Sequence, residues 1–409
     1  VPAPMLVEAA RQAIAAGEPE AARERAEAIA ASLLQPVINA TGVLLHTNLG
    51  RAPLGVHQEA RYSSLEIDLT TGKRGSRGTH FARMFSLACG AESAVVVNNG
   101  ASAVLLALSA LAGAAARREV VVSRGELVEI GGGFRIPEVL AASGAKLVEV
   151  GTTNRTRLSD YEKVIGPDVA LVLKVHQSNY RLVGFSESVP VSELAGLGMP
   201  VVFDIGSGLL DANAPWLSSG PPAWLADEPA ARQALAEGAS IVTFSTDKLF
   251  GGPQAGVIAG RGDLVAACGR HPLYRALRPG RLVLSALQET LLAYLRRDGA
   301  SIPFWSMAAT PVSELSRRAR ELAVGEVVEC ESVAGGGSLP GLGIPSAGVA
   351  LAGDLTAGLR RRKVPIVARV HEGRTLADLR TVDPADDAEL AAGLCDVIGE
   401  TLPGTGHIR

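Results

Sequence analysis

Hydrophobic residues in this chain gather in short, unbroken, β-branched runs separated by Ala- and Leu-rich stretches. Residues 94–97, 119–122, 146–150, 170–175, 200–203 and 239–244 each read as a strand. Runs that are apolar throughout, with helical stretches between them, predict a parallel or mixed sheet covered on both faces. The fold class is therefore α/β. Polar clusters follow the C-terminal ends of those runs, at residues 123–126, 151–153, 176–179, 204–207 and 245–248. Open α/β sheets bind their ligands outside those ends, so function is expected there.

The two ends of the chain read differently. Residues 6–34 predict one or two helices, broken near Gly17, Glu18 and Pro19. An extended segment follows at 36–40, and then an irregular polar stretch at 41–54 around His46, Asn48 and Arg51. Such a stretch is either a connecting arm or part of a site. Past a helical run that ends near Arg297, a strand is expected at 348–351 and a helix at 355–362. A hairpin over 365–379 turns at Glu372 and Gly373, and a final helix covers 387–402. The expected organisation is an N-terminal helical segment (1–35), a large domain with a linker helix (36–299) and a small α+β domain (300–409).

Composition narrows the class. A net charge of -3 offers no global attraction to nucleic acid, so any such partner needs a local basic patch. The four cysteines are scattered without a C-x-x-C, which points to neither a zinc site nor a disulfide framework. The seven histidines show no H-E-x-x-H spacing, so metal: none is the expectation. No signal peptide or transmembrane run is visible, and a cytoplasmic setting is expected.

The most informative stretch is F-S-T-D-K-L-F-G-G-P-Q-A-G, residues 244–256. A lone Lys248 sits in a glycine-rich turn at the end of a buried run. On its own, a lysine beside glycines is most often a solvated loop residue. Held at a strand end it is desolvated, loses its proton more easily and can form a Schiff base with an aldehyde cofactor. Upstream, Asn98 and Asn99 lead from a strand into an apolar helix. Backbone N–H groups of Gly100, Ala101 and Ser102 there suit a phosphate. Asp204 ends another strand, where a carboxylate could keep a pyridinium nitrogen protonated or simply cap a turn. Phosphate-ready helix start, strand-end Asp and later strand-end Lys form the order of a pyridoxal-phosphate domain. Two further stretches are basic. Lys73, Arg74 and Arg77 lie among glycines and suit an anion or a solvated loop. Arg275 and Arg278, three positions apart, would share one face of a helical turn.

Five segments together resemble one family. I-N-A-T-G-V-L-L-H-T-N-L-G-R-A, S-R-G-E-L-V-E-I-G-G-G-F-R-I-P, V-G-T-T-N-R-T, D-I-G-S-G and D-K-L-F-G-G-P-Q-A-G are similar to bacterial selenocysteine synthases, the L-seryl-tRNA(Sec) selenium transferases. The similarity runs from about Pro36 through almost the whole chain. It implies a fold type I (aspartate-aminotransferase-like) pyridoxal 5'-phosphate enzyme, with a central mostly parallel sheet and a small C-terminal domain. It implies Lys248 as the Schiff-base lysine and Asp204 as the partner of the pyridine nitrogen. Arg51, Arg275 and Arg278 match the arginines that hold the phosphate-like end of the selenium donor. The wider fold family suggests Ser245 at the cofactor phosphate, with Ser207 and Asn179 near the ring.

The implied reaction converts seryl-tRNA(Sec) to selenocysteinyl-tRNA(Sec) with selenophosphate. It passes through an external aldimine, loss of water to aminoacrylyl-tRNA and addition of selenium. The implied assembly is a homodecamer built from dimers, and the helical segment before Pro36 is short for the family. Two other readings stay open on residues alone. One is a pyridoxal-phosphate lyase or transferase of the same scaffold acting on a small amino acid or amino sugar. The other is a catalytically silent tRNA-binding scaffold. A cysteine desulfurase is disfavoured, because the nearest candidate, Cys330, lies in no plausible mobile loop.

Overall fold

The computed structural model describes residues 1–55, 62–75, 77–113, 117–180, 182–335 and 338–401. Residue 402 of the expected last helix and Ser76 of the basic loop lie outside these. The chain opens with helices Ala3–Ala15 and Ala22–Ala31, packed as a hairpin. They part at Gly17, which takes a left-handed φ of 74°, and Pro19, which starts a new turn.

Fourteen strands are described, numbered in chain order: β1 (Ile38–Ala40), β2 (Ser93–Val97), β3 (Glu119–Ser123), β4 (Glu129–Ile130), β5 (Phe134–Arg135), β6 (Lys146–Val150) and β7 (Val169–Val175), then β8 (Val201–Gly206), β9 (Ile241–Ser245), β10 (Gly256–Gly260), β11 (Glu326–Gly335), β12 (Ser338–Ala352), β13 (Ile366–His371) and β14 (Arg374–Asp378). Seven of them form the large sheet, in the order β2-β10-β9-β8-β7-β3-β6. Neighbours β9, β8, β7, β3 and β6 are parallel, while β10 runs antiparallel to both β2 and β9. Among the strands, the short pair β4 and β5 and the longer β10 and β11 were not expected from the sequence. Gly256 and Gly260 bracket only three apolar residues in β10, and β11 alternates glutamates with small residues.

The large sheet is buried on both faces, which explains its unbroken apolar runs. Alternate residues of β9 and β10 feed opposite cores. Val242, Phe244, Val257 and Ala259 pack with Phe81, Phe85, Phe250 and Trp305 on one side. Ile241 and Ile258 pack with Val97, Leu106 and Leu173 on the other. Helix Arg281–Arg296 then carries the chain out of this layer, as the helical run after Leu282 requires.

The second sheet has the order β1-β13-β14-β12-β11. The expected hairpin is present as β13 and β14, with Glu372 and Gly373 at φ of 50° and 73°. Positive φ at both central residues is the turn that matches strand twist. The extended segment after Pro36 is β1, but it pairs parallel with β13. The next residues cross to the far edge, where Leu44 and Leu45 donate to Val333 and Ala334 of β11 at 3.0 and 2.8 Å. Residues 38–45 therefore bind this small sheet before they enter the large layer. Cys330 lies in β11 opposite Ser346, and burial pushes its thiol up to about 12.

Asp378, fully buried at the end of β14, ties this arrangement together. Its carboxylate accepts from Ser332 at 2.9 Å, Ser346 at 2.6 Å and the Arg380 N–H at 3.1 Å, with Arg369 at 3.2 Å. Gly42 passes so close that any side chain would collide with this carboxylate. Replacing Asp378 with Ala strands the two buried hydroxyls, while Arg369 keeps the Thr41 and Glu331 carbonyls. Urea unfolding is expected to show a loss of about 2–4 kcal/mol, the cost of leaving buried polar groups unpaired.

Candidate functional site

The site lies where β8 and β9 end. Thr246, Asp247 and Lys248 form a buried turn rather than a surface loop, with Lys248 only 5% exposed. Backbone bonds lock the turn: Thr246 N–H to Ala255, Gly251 N–H to Lys248 and Gly252 N–H to Thr246, at 2.9, 2.8 and 2.7 Å. The Thr246 hydroxyl also donates to the Pro253 carbonyl. Behind it, Trp305 donates to Tyr294 at 2.6 Å, and Tyr294 donates to the Phe250 carbonyl at 2.7 Å. The glycines have a steric purpose here. A side chain at Gly251 would press on Ile302 and Phe304.

Asp204 is equally buried on β8, where Thr243 of β9 donates to its carboxylate at 2.8 Å. Strand register places these two residues opposite each other. Burial pushes the Asp204 carboxyl above its usual range, opposed by the Thr243 bond and by Lys248. Burial likewise pushes the Lys248 amine below its usual range, opposed first by Asp204 and reinforced by Arg51. Both shifts have the same origin, the removal of charge from water.

The helix Gly100–Leu108 starts against the same strand ends. Gly100 lies so close to Ser245 that a side chain would collide with the Ser245 hydroxyl. Asn99 caps the helix by accepting from the Ser102 N–H at 2.8 Å. That bond corrects the expectation for Ser102, whose N–H is engaged within the turn. Gly100 and Ala101 N–H groups and the hydroxyls of Ser102 and Ser245 remain to meet an anion. Ser207 is fully buried, and its hydroxyl has no partner among the described residues, as expected of a group awaiting one. Asn179 is different: it is exposed, and its amide donates to the Glu129 carbonyl at 2.8 Å.

Arg51 reaches the lysine turn from the 41–54 segment. It pairs with Asp247 at 2.6 Å, and the Ala52 N–H donates to the Asp247 carbonyl at 3.2 Å. Its own φ of 63° is a left-handed conformation that non-glycine residues rarely adopt. Arg275 and Arg278 do not share a helical face. The helix Pro272–Leu277 contains Arg275, which is exposed, but stops before Arg278. Pro279 disfavours helical backbone at the preceding residue, and Arg278 is extended at φ -67°, ψ 130°. The Leu277 carbonyl accepts from the Asn98 N–H at 3.0 Å, which sets Arg278 beside the capped helix start.

Several groups here were not singled out as individuals from the sequence. Asp247 could have been, since it adjoins Lys248. His176 follows β7, and its N–H donates to the Asp204 carbonyl at 2.9 Å. Its ring faces buried Glu228 at 3.4 Å. Glu228 lies in an irregular segment with no periodic signal at all. A neighbouring polar cavity of about 350 Å3 is lined by Glu126, Thr152, Lys174, His176 and Gln177 among others.

The residues present fit pyridoxal phosphate: a buried amine and a buried carboxylate at adjacent strand ends, a glycine-lined helix start against Ser245, and the unpartnered buried hydroxyl of Ser207, whose carbonyl bonds the lysine turn. The Lys248 environment also makes a pH prediction. The folded chain binds a proton at Lys248 less readily than the unfolded chain does, so the unfolded state holds more protons below the ordinary value of 10.5. Lys248 therefore contributes to the cofactor-free protein a stability that grows as pH rises towards 10.5. In Lys248→Met that growth should vanish. Urea unfolding of both proteins between pH 7 and pH 10 checks it, and equal slopes would mean the amine is not desolvated.

Comparison with known proteins agrees with this geometry. The family model described as L-seryl-tRNA selenium transferase matches residues 37–383. An L-seryl-tRNA(Sec) selenium transferase of Moorella thermoacetica is 46% identical over 405 residues, 91% of this chain and 84% of that protein. The Geobacter metallireducens protein of the same name is 44% identical over 403 residues, covering 91% and 85%. Among solved structures, a D-glucosaminate-6-phosphate ammonia-lyase matches with a TM-score of 0.59 at 20% identity, covering 90% of this chain and 97% of that one. That likeness concerns the fold. On the extent of the family match and of these identities, the chain belongs to the L-seryl-tRNA selenium transferase family.

Proposed function

We propose that this protein converts L-seryl-tRNA(Sec) to selenocysteinyl-tRNA(Sec), taking selenium from selenophosphate with pyridoxal 5'-phosphate as cofactor. The observation that carries the reading is the buried pair Lys248 and Asp204 beside the Gly100 helix start, in a chain of this family. When bound, pyridoxal phosphate supplies an electron sink for the pair left at the seryl Cα. Every other part of the work falls to the chain's own groups.

Lys248 would hold the cofactor aldehyde and is the amine placed to take the proton from the seryl Cα. Burial holds its amine below the usual lysine range, which favours the unprotonated form that a base requires. Asp204, steadied by Thr243, would keep the cofactor's ring nitrogen protonated. The Gly100 and Ala101 N–H groups with the Ser102 and Ser245 hydroxyls would hold its phosphate. Ser207 adjoins the lysine turn, where its carbonyl accepts from the Leu249 N–H at 2.9 Å. The proton taken from Cα leaves with the seryl hydroxyl as water, selenium bonds to Cβ as a proton returns to Cα, and a second water cleaves the Se–P bond to release phosphate. Arg51, Arg275 and Arg278 hold the donor's oxyanion through that exchange. Arg51 is already aimed by Asp247 at the lysine turn.

The same reading includes a dimer-based homo-oligomer, a decamer in its fullest form, and docking of the tRNA by elements that include the N-terminal helices. Exposed Leu6, Val7 and Ile14 on the first of these offer an apolar face for such contacts. Among the described residues no helix is long and apolar enough to cross a membrane. A cytoplasmic location is part of the proposal. The domain division at 35 and 299 is likewise a working one, with β1 and residues 42–45 attached to the small sheet.

Single-turnover conversion of seryl-tRNA(Sec) with selenophosphate tests the function. Wild type should convert it, and Lys248→Ala should not, with loss of the long-wavelength cofactor absorbance. Arg51→Ala and Arg278→Ala should keep that absorbance. Their donor KM should rise about tenfold to a hundredfold, the worth of a charge-assisted contact. No conversion by wild type, with absorbance intact, would overturn the tRNA reading and leave the cofactor assignment standing.

A further inference from the structure

The basic stretch after Ile67 finds its place against Arg278. Glu66 sits at the centre. One carboxylate oxygen accepts from Arg77 at 3.0 Å, and the other from Arg74 at 2.9 Å. Arg278 approaches the first oxygen at 3.8 Å, an attraction beyond hydrogen-bond range. Arg77 also donates to the Pro279 carbonyl at 3.2 Å, which pins the loop beside Arg278. Glu66, Arg77 and Arg278 are each about a quarter exposed, whereas Arg74 is largely in solvent. Three guanidiniums thus face one carboxylate. The cluster keeps an excess of positive charge, and the Arg278 Nε has no partner among the described residues. The arginines also hold the Glu66 carboxyl below its usual range, Arg74 most strongly, so it stays ionised.

We propose that Glu66 is an internal counter-ion of this arginine cluster, which holds Arg278 while the site is empty and competes with the incoming oxyanion for it. The inference rests on the reading that Arg278 contacts the selenium donor. Its physics is simple. A carboxylate has the charge sign and the oxygen pair of a phosphate-class ligand, and guanidiniums bind both in the same fork geometry. At 3.8 Å the Glu66–Arg278 contact is attractive but geometrically unmade, so an oxyanion that forms hydrogen bonds to Arg278 displaces it. The carboxylate remains nearby and repels that oxyanion. It thereby selects for anions with further contacts, such as the reacting selenium at Cβ, over free phosphate.

The test is calorimetric titration of cofactor-loaded protein with inorganic phosphate, so that the Gly100 helix start is already filled. Wild type is compared with the neutral variants Glu66→Gln and Glu66→Ala, with Glu66→Asp, with Arg278→Ala and with Glu66→Gln/Arg278→Ala. Neutral variants should bind phosphate about three- to tenfold more tightly, the effect of removing one charge near 4 Å at a solvated site. Glu66→Asp, which keeps the charge, should show no such gain, and the double variant should lose it. Phosphate affinity unchanged or weakened in both neutral variants would overturn the proposal, making Glu66 a brace for Arg278 instead. In that case a weakened Arg278→Ala would keep the donor reading. No effect of Arg278→Ala on phosphate, or a gain that survives in the double variant, would overturn both together.

Discussion

Everything at this site depends on keeping two opposite charges out of water at the ends of adjacent parallel strands. Lys248 and Asp204 are each about 5% exposed, and neither reaches that depth cheaply. Register between β8 and β9 supplies Thr243 to Asp204, and the locked turn after β9 supplies the depth for Lys248. The cost of burying them is also their chemical value. An amine that sheds its proton readily beside a buried carboxyl is what the proposed aldehyde-bearing cofactor needs.

The second requirement is that anions be met without being trapped. At the helix start, Gly100 and Gly256 leave no room for side chains, so backbone and hydroxyl groups approach closely. At the arginines, charge is partly offset inside the protein: Asp247 pairs with Arg51, and Glu66 with Arg74, Arg77 and, loosely, Arg278. An unmatched cluster of guanidiniums would repel itself and hold any passing anion. Internal carboxylates keep the geometry ready while lowering the gain from nonspecific binding.

Chain path joins the two sheets into one machine. Residues 38–45 pair first with β13 and then with β11, and Arg51 follows within the same segment to reach Asp247. The small sheet thereby anchors an arm whose tip enters the site. The strain at Arg51, with its left-handed φ, is held by contacts on both sides of it.

Local chemistry settled much of this in advance. The apolar β-branched runs marked the parallel strands because both faces of the sheet are buried. Glu372 and Gly373 marked a hairpin because few residues tolerate positive φ. The strand-end lysine, the strand-end aspartate and the helix start were legible for the same reason: each is a short-range pattern. What the sequence could not hold was any relation between distant segments. Residues 38–40 look like an entrance to the large layer, but their partner is β13, and only pairing across the fold decides that. Arg275 and Arg278 look like one helical face until Pro279 is weighed against their spacing. Asn99 takes the Ser102 N–H, and Asn179 spends its amide on the Glu129 carbonyl of β4, because side chains bond to whatever packing brings near. Glu228 beside His176 and Glu66 among its arginines have no periodicity to betray them. Residue type and spacing determined which chemistry was present, and tertiary contacts decided which charges met, since burial and distance set a charge's energy and neither is a property of sequence order.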